Sequence, residues 1–263
     1  MLGKLMKYDA KSIFKVLIIF YGLAVFFGAL AFFFLRIENS LIAKIFGEIF
    51  RGAAISMMFS TIINNLMRMW HRFLSNFYKD ESYLTHTLPV SKGCLYLSKT
   101  LSSLLTLFVS ALVIALSLFL SCYSKENIEL LKTLLSPVAT LYDSTVLGVI
   151  AALLFIVFLE LMNMLQSGFA GIILGHKMGH SKTGFSFLFG FGVYLLTQIF
   201  AVLVTFIVAL FNKDLMNLFY TVNVPGIDVL KLCIYLAIGV YSANILILYF
   251  VNLKLFQKGV NVD

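Results

Sequence analysis

Long apolar runs separated by short polar intervals dominate this chain. Val16 to Leu35 is bounded by Lys15 and Arg36, and comparable runs follow at about Ile45–Met67, Thr100–Tyr123, Thr145–Leu174, Phe185–Phe211 and Val229–Leu253. Each is long enough to cross a hydrocarbon core of about 30 Å, which takes about 20 residues of helix. The pattern predicts an all-α, polytopic membrane protein. Its single transmembrane domain covers residues 1–263, with six transmembrane helices at 16–35, 45–67, 100–123, 145–174, 185–211 and 229–253. The first run is too long for a signal-peptide core and lacks a small-x-small cleavage site, so it is expected to remain as an uncleaved transmembrane helix. Pro89, Pro137 and Pro225 are all expected in loops.

Residues 1–15 follow a different pattern. At about 100° per residue, Lys4, Lys7, Lys11 and Lys15 share one side of a helix, and Leu2, Leu5, Met6, Ala10 and Ile13 share the other, interrupted by Asp9. This reads as an N-terminal interfacial elbow helix with its lysines toward anionic headgroups. The plainer alternative is a basic flank before a membrane helix.

Composition points to the same solvent. Hydrophobic residues make up 61% of the chain and charged ones 12%, against about 25% charged in a soluble domain. The net charge of +8 is not gathered on a soluble module, so nucleic acid is not an expected partner; the lipid bilayer is. Thirteen of the twenty Lys and Arg residues fall in segments on the side of the N-terminus, if the runs cross alternately. Both termini and the interval 68–99 are therefore expected in the cytoplasm of a multi-pass cell-membrane protein. Cys94, Cys122 and Cys233 have no metal or redox spacing.

Some polar residues fall inside the apolar runs. Ser103, Thr106, Ser110, Ser117 and Ser121 line one face of the third. Such a stripe suits either close helix packing with shared hydrogen bonds or the lining of a pathway. Glu160 lies in the fourth run with Asn163 and Ser167 on one broad face and Gln166 at its edge. An ionised carboxylate near mid-bilayer costs about 3 kcal/mol on insertion scales. Glu160, Asn163 and Ser167 are thus candidates for a substrate pathway, the alternative being a structural hydrogen bond to a neighbouring helix. The segment Gly175–Thr183 resembles a phosphate loop only superficially, because Gly179 is separated from Lys182 and the segment follows a membrane helix. His176 and His180 do not fit a zinc-protease pattern. No catalytic residue, metal site or cofactor of the chain's own is expected.

The interval 68–99 is the longest interruption of the apolar pattern. Arg68, Trp70, His71, Arg72, Phe73 and Phe77 suit a helix that continues from the second run into the interface, anchored by Trp70. Asp80 can cap a short helix over about Glu81–Leu88, stopped by Pro89, and Ser91 can cap the next one. A short helix held between two membrane helices can transmit a push from a soluble partner.

The stretch Asp80-Glu81-Ser82-Tyr83-Leu84-Thr85-His86-Thr87-Leu88-Pro89-Val90-Ser91, followed by Leu97-Ser98-Lys99, resembles a segment of the permease subunits of ABC-2-type exporters from Gram-positive bacteria. The six-helix plan, basic elbow and cytoplasmic termini resemble that family over the whole length. The resemblance implies that two permeases pair, as copies or paralogues, and that each engages a separate ABC ATPase subunit, which binds ATP and Mg. It implies a coupling helix over Tyr78–Pro89 and a second contact at His176–Thr183. The ATPase contacts would be Asp80, Glu81, Tyr83, Leu84, His86, Leu88, Pro89, His176, Lys177 and His180. Function would be export by alternating access, with no enzymatic activity in this chain. Two other readings stay open: an intramembrane enzyme or stand-alone membrane protein built around Glu160, and a vitamin-uptake membrane subunit.

Overall fold

The computed structural model describes residues 2–37, 40–79, 81–141, 143–178, 181–220 and 227–258. All regular structure among these residues is α-helical: α1 (Leu2–Leu35), α2 (Leu41–Tyr78), α3 (Ser82–His86), α4 (Lys92–Cys122), α5 (Lys125–Leu141), α6 (Val146–Gly175), α7 (Lys182–Phe211), α8 (Lys213–Tyr220) and α9 (Ile227–Gln257). The helices α1, α4, α6, α7 and α9 are long and apolar enough to cross a membrane. The protein is thus an all-helical, multi-pass membrane protein. The second expected span lies within α2, which is not among the five. Lys44, Glu48, Arg51, Asn64 and Asn65 dilute its apolar stretch.

The chain divides into two compact units, Met1–Glu129 and Leu130–Asp263. In the first, α1 packs against α2 and α4, and α2 also meets α4. The elbow is not set off from the first span: residues 2–35 form one helix, because no Gly or Pro pair interrupts the junction near Lys15. The Ser40 hydroxyl caps α2 by accepting from the Ala43 N–H at 3.2 Å. Near this turn the Phe34 ring lies 6.0 Å from Phe46 and 5.4 Å from Phe50, and Phe27 lies 6.3 Å from Phe50. The helical pair is therefore stapled by rings at its closed end. The serine stripe of α4 is buried and packs. Ser110 Oγ lies 2.7 Å from the Tyr21 hydroxyl of α1 and accepts from Asn65 Nδ2 of α2 at 2.6 Å. Ser117 Oγ donates to the Ala24 carbonyl of α1 at 2.7 Å. Small hydroxyl side chains let backbones approach and give each hydroxyl a partner that lipid cannot supply.

In the second unit, α6 packs against α7 and α9, and α8 folds back on α7. Thr145 caps α6 by accepting from the Gly148 N–H at 3.2 Å. At the other end of α6, a Cβ on Gly171 would run into the Ser186 carbonyl and the Gly190 backbone, and one on Gly175 into Ser186. The spacing Gly171-x-x-x-Gly175 against Ser186-x-x-x-Gly190 thus brings the two backbones into contact.

α5 and α8 occupy intervals expected to be loops. Pro137, expected in a loop, lies inside α5. Its ring leaves the carbonyl four residues back without an N–H donor, and the Ser136 hydroxyl donates to that carbonyl, of Thr133, at 3.4 Å. Pro89 lies outside any helix, as expected. Pro225 lies outside the described residues.

Candidate functional site

Two polar centres stand out, one in each unit. The first is at the junction of α2, α3 and α4. α2 runs past its apolar stretch to Tyr78, the continuation expected from Arg68 onward. α3 covers Ser82–His86, shorter than the expected 81–88: the Thr87 N–H still donates to the Tyr83 carbonyl at 3.2 Å, and the helical pairing ends there, ahead of Pro89. Ser91 caps α4 as expected, its hydroxyl accepting from the Cys94 N–H at 3.3 Å. Asp80 and its expected capping role lie outside the described residues. Glu81 occupies the cap position of α3 and makes no side-chain cap bond.

Glu81 is engaged elsewhere. Arg72 Nη1 donates to its two carboxylate oxygens at 3.2 and 3.1 Å. The Nε of the same arginine donates to Asp9 Oδ1 of α1 at 3.4 Å, and Lys99 Nζ of α4 donates to that oxygen at 2.5 Å. Asp9 is 5% exposed and Lys99 7% exposed, so both charges are withdrawn from water and cancel each other. Two acids and two bases, from α1, α2, α4 and the cap of α3, thus form one neutral cluster. It fixes the base of α3 to the rest of the unit.

α3 itself is divided by this arrangement. Ser82 and Thr85 are buried, and Thr85 Oγ1 donates to the Glu81 carbonyl at 2.9 Å. His86 Nε2 lies 3.3 Å from the Phe77 carbonyl. Tyr83 and Leu84 point outward, 68% and 74% exposed, and Leu88 and Pro89 are exposed beyond them. Of the expected contact residues, Tyr83, Leu84, Leu88 and Pro89 are free at the surface, whereas Glu81 and His86 are partly occupied by contacts within the chain.

Of the second expected contact, His176–Thr183, residues 176–178 follow α6, and Lys182 and Thr183 open α7. His176 is buried, and its Nδ1 lies 2.9 Å from the Ile172 carbonyl. It terminates α6 from inside the unit, and Lys177 and Met178 carry the exposed surface. His180 lies outside the described residues.

The second centre surrounds Glu160, halfway along α6. Glu160 Oε1 accepts from the Tyr194 hydroxyl at 2.6 Å and from Gln198 Nε2 at 2.8 Å, both on α7. The Tyr241 hydroxyl of α9 donates to Gln198 Oε1 at 3.3 Å. One turn along α6, Asn163 Nδ2 donates to Thr197 Oγ1 at 3.0 Å, and Asn244 Nδ2 of α9 donates to the Thr197 carbonyl at 3.4 Å. Further on, Asn252 Nδ2 donates to the Gln166 carbonyl and side chain at 3.0 and 3.2 Å. Ser167 turns back on its own helix, donating to the Asn163 carbonyl at 2.9 Å. Glu160, Asn163 and Gln166 thus share a polar seam through α6, α7 and α9, while Ser167 only relieves its own helix.

Several of these residues escaped the sequence reading. Tyr194, Thr197 and Gln198 share a face of α7 at helical spacing, a signal that was there to be found. Asp9 was visible only as a blemish on an apolar face. Among the described residues no group of three or more His, Cys, Asp or Glu side chains is placed to hold a metal ion. No family model, curated protein or solved structure matches the chain.

Proposed function

We propose that this chain is the permease subunit of an ABC-type exporter, and that α3 is the helix through which a separate ATPase subunit drives it. The observation that carries the reading is α3: a one-turn helix, clamped at its base by Arg72–Glu81, that presents Tyr83 and Leu84 to solvent. Exposed aromatic and aliphatic side chains on a rigid support suit the anchors of a docking surface, and truncating such anchors typically costs about 2 kcal/mol or more of binding. The Arg72–Asp9–Lys99 contacts supply a stiff link from α3 to α1 and α4.

In this reading α2 is the sixth span. It runs antiparallel to α1 from the Phe34–Phe46 contact to the Arg72–Asp9 contact, so it covers the apolar length of α1. Its charged first turns are partly neutralised by the Arg51–Glu48 pair. Both termini, α3 and the α6–α7 turn then face the cytoplasm, ATP and Mg bind to the partner, and a second permease completes the pathway. Glu160 and Asn163 belong to the substrate side. The rival reading of an enzyme built on Glu160 draws no support from its neighbours, which are hydroxyl and amide groups.

The test is the double variant Tyr83→Ala/Leu84→Ala in nanodiscs, against the ABC ATPase subunit that co-purifies with the unaltered chain. The expected result is a folded membrane subunit that no longer retains the ATPase on pull-down and no longer stimulates its turnover. Retention of both would refute the assignment of α3.

A further inference from the structure

Between the start of α1 and the last third of α2 lies a crevice of about 110 Å³, lined by Ser12, Arg68, His71, Arg72, Ser75 and Glu81 among others. Its charges do not balance. Arg72 is committed to Asp9 and Glu81, and both Glu81 oxygens are held by Arg72. That leaves the guanidinium of Arg68, which forms no ion pair among the described residues, together with the His71 ring and two serine hydroxyls. A guanidinium fork beside hydroxyl donors matches the oxygen geometry of phosphate better than that of a compact halide.

The position of the crevice bears on where such a phosphate comes from. The apolar run of α1 begins just past Lys15 and that of α2 ends at Met67. Ser12 and Arg68 therefore line the crevice where both helices turn from apolar to polar. A bilayer that covers the apolar runs places its phosphates at this level, and basic pockets there attract anionic headgroups.

We propose that this crevice is a phosphate-binding site, filled by the headgroup of an anionic phospholipid or by free phosphate. The proposal stands independently of the permease reading. An occupant lies against Arg72, the residue that clamps α3, so filling the site adds to the stability of the folded chain in the manner of any ligand that binds only the native state.

The experiment uses the purified full chain in phosphatidylcholine nanodiscs, with and without phosphatidylglycerol, and in neutral micelles with inorganic phosphate. Thermal midpoint and lipid retained in native mass spectra are the readouts. Arg68→Gln is expected to leave the midpoint without added anion unchanged and to weaken the anion's effect about tenfold, the worth of one charge-assisted hydrogen bond. Lys15→Gln, which removes a nearby charge outside the crevice, is expected to weaken it by less than about twofold. Protection by phosphatidylglycerol alone assigns the headgroup, and protection by inorganic phosphate assigns free phosphate. Equal losses for Arg68→Gln and Lys15→Gln mean diffuse surface charge and overturn the site. So does any result in which Arg68→Gln matches the unaltered chain. His71→Gln gives a second variant, with the same direction expected, should Arg68→Gln not fold.

Discussion

In the first unit the buried charges gather where α1 and α4 begin and α2 ends, and they cancel; in the second, a single carboxylate sits halfway along α6 and meets only neutral donors. Asp9, Lys99, Arg72 and Glu81 can pair because water lies within reach of the cluster's outer members, Arg72 and Glu81. The desolvation of two opposite charges is then partly relieved and partly repaid. Midway along an apolar helix a second full charge would be costly. The chain surrounds Glu160 instead with Tyr194, Gln198 and, one step removed, Tyr241. The lesson is that position along the helix sets which polar partner an acid held between helices receives.

This contrast can be broken experimentally, and the largest effect is expected in the first unit. Lys99→Ala leaves Asp9 buried with only the longer contact to Arg72, and losing one partner of a buried pair costs about 3–5 kcal/mol. Replacing both members, as Asp9→Leu with Lys99→Met, should recover most of that loss. Unfolding titrations in mixed micelles check both. Near-equal stability of Lys99→Ala and the unaltered chain would mean that the pair contributes nothing.

A smaller effect is expected around Glu160. Glu160→Leu strands the half-buried Tyr194 hydroxyl and Gln198 amide, at about 1 kcal/mol or a little more for polar groups left unmet. Glu160→Gln keeps an oxygen for both donors and should stay within about 1 kcal/mol of the unaltered chain. The same titration separates them. If the glutamine variant loses as much as the leucine variant, the negative charge itself matters, and the contrast with the first unit narrows.

The smallest effect belongs to the serine stripe. Ser117→Ala removes one interhelical hydrogen bond to the Ala24 carbonyl, at about 0.6 kcal/mol within a membrane protein. A loss several times larger would show that the hydroxyl does more than join α4 to α1.

The apolar runs were legible because each needs no partner to be recognised. α7 and α9 contain the expected segments, and α4 and α6 cover theirs but for Tyr123 and Thr145, which stand at the caps. The second run, 45–67, was legible as a helix within α2, but Asn64 and Asn65 lie in its best stretch and α2 is not among the five apolar enough to cross. Asn65 is spent on Thr106 and Ser110 of α4, which no local pattern reveals. The capping serine at Ser91 is a local signal and was read correctly. The ion cluster was not, since Asp9 and Lys99 lie far apart in sequence and are joined only by packing. α5 was taken for a loop because Pro137 counts against a helix when the compensating Ser136 hydroxyl is unseen.

The crossing of α6 and α7 has a mechanical consequence. Where Gly171 and Gly175 face Ser186 and Gly190, peptide groups lie on peptide groups, and there are no long side chains whose rotamers could shift to let one helix slide over the other. The two helices are therefore held together as a stiff pair. α9 is joined to that pair differently: its Tyr241, Asn244 and Asn252 hold α7 and α6 through side-chain hydrogen bonds, which can change partners more readily than packed backbones can.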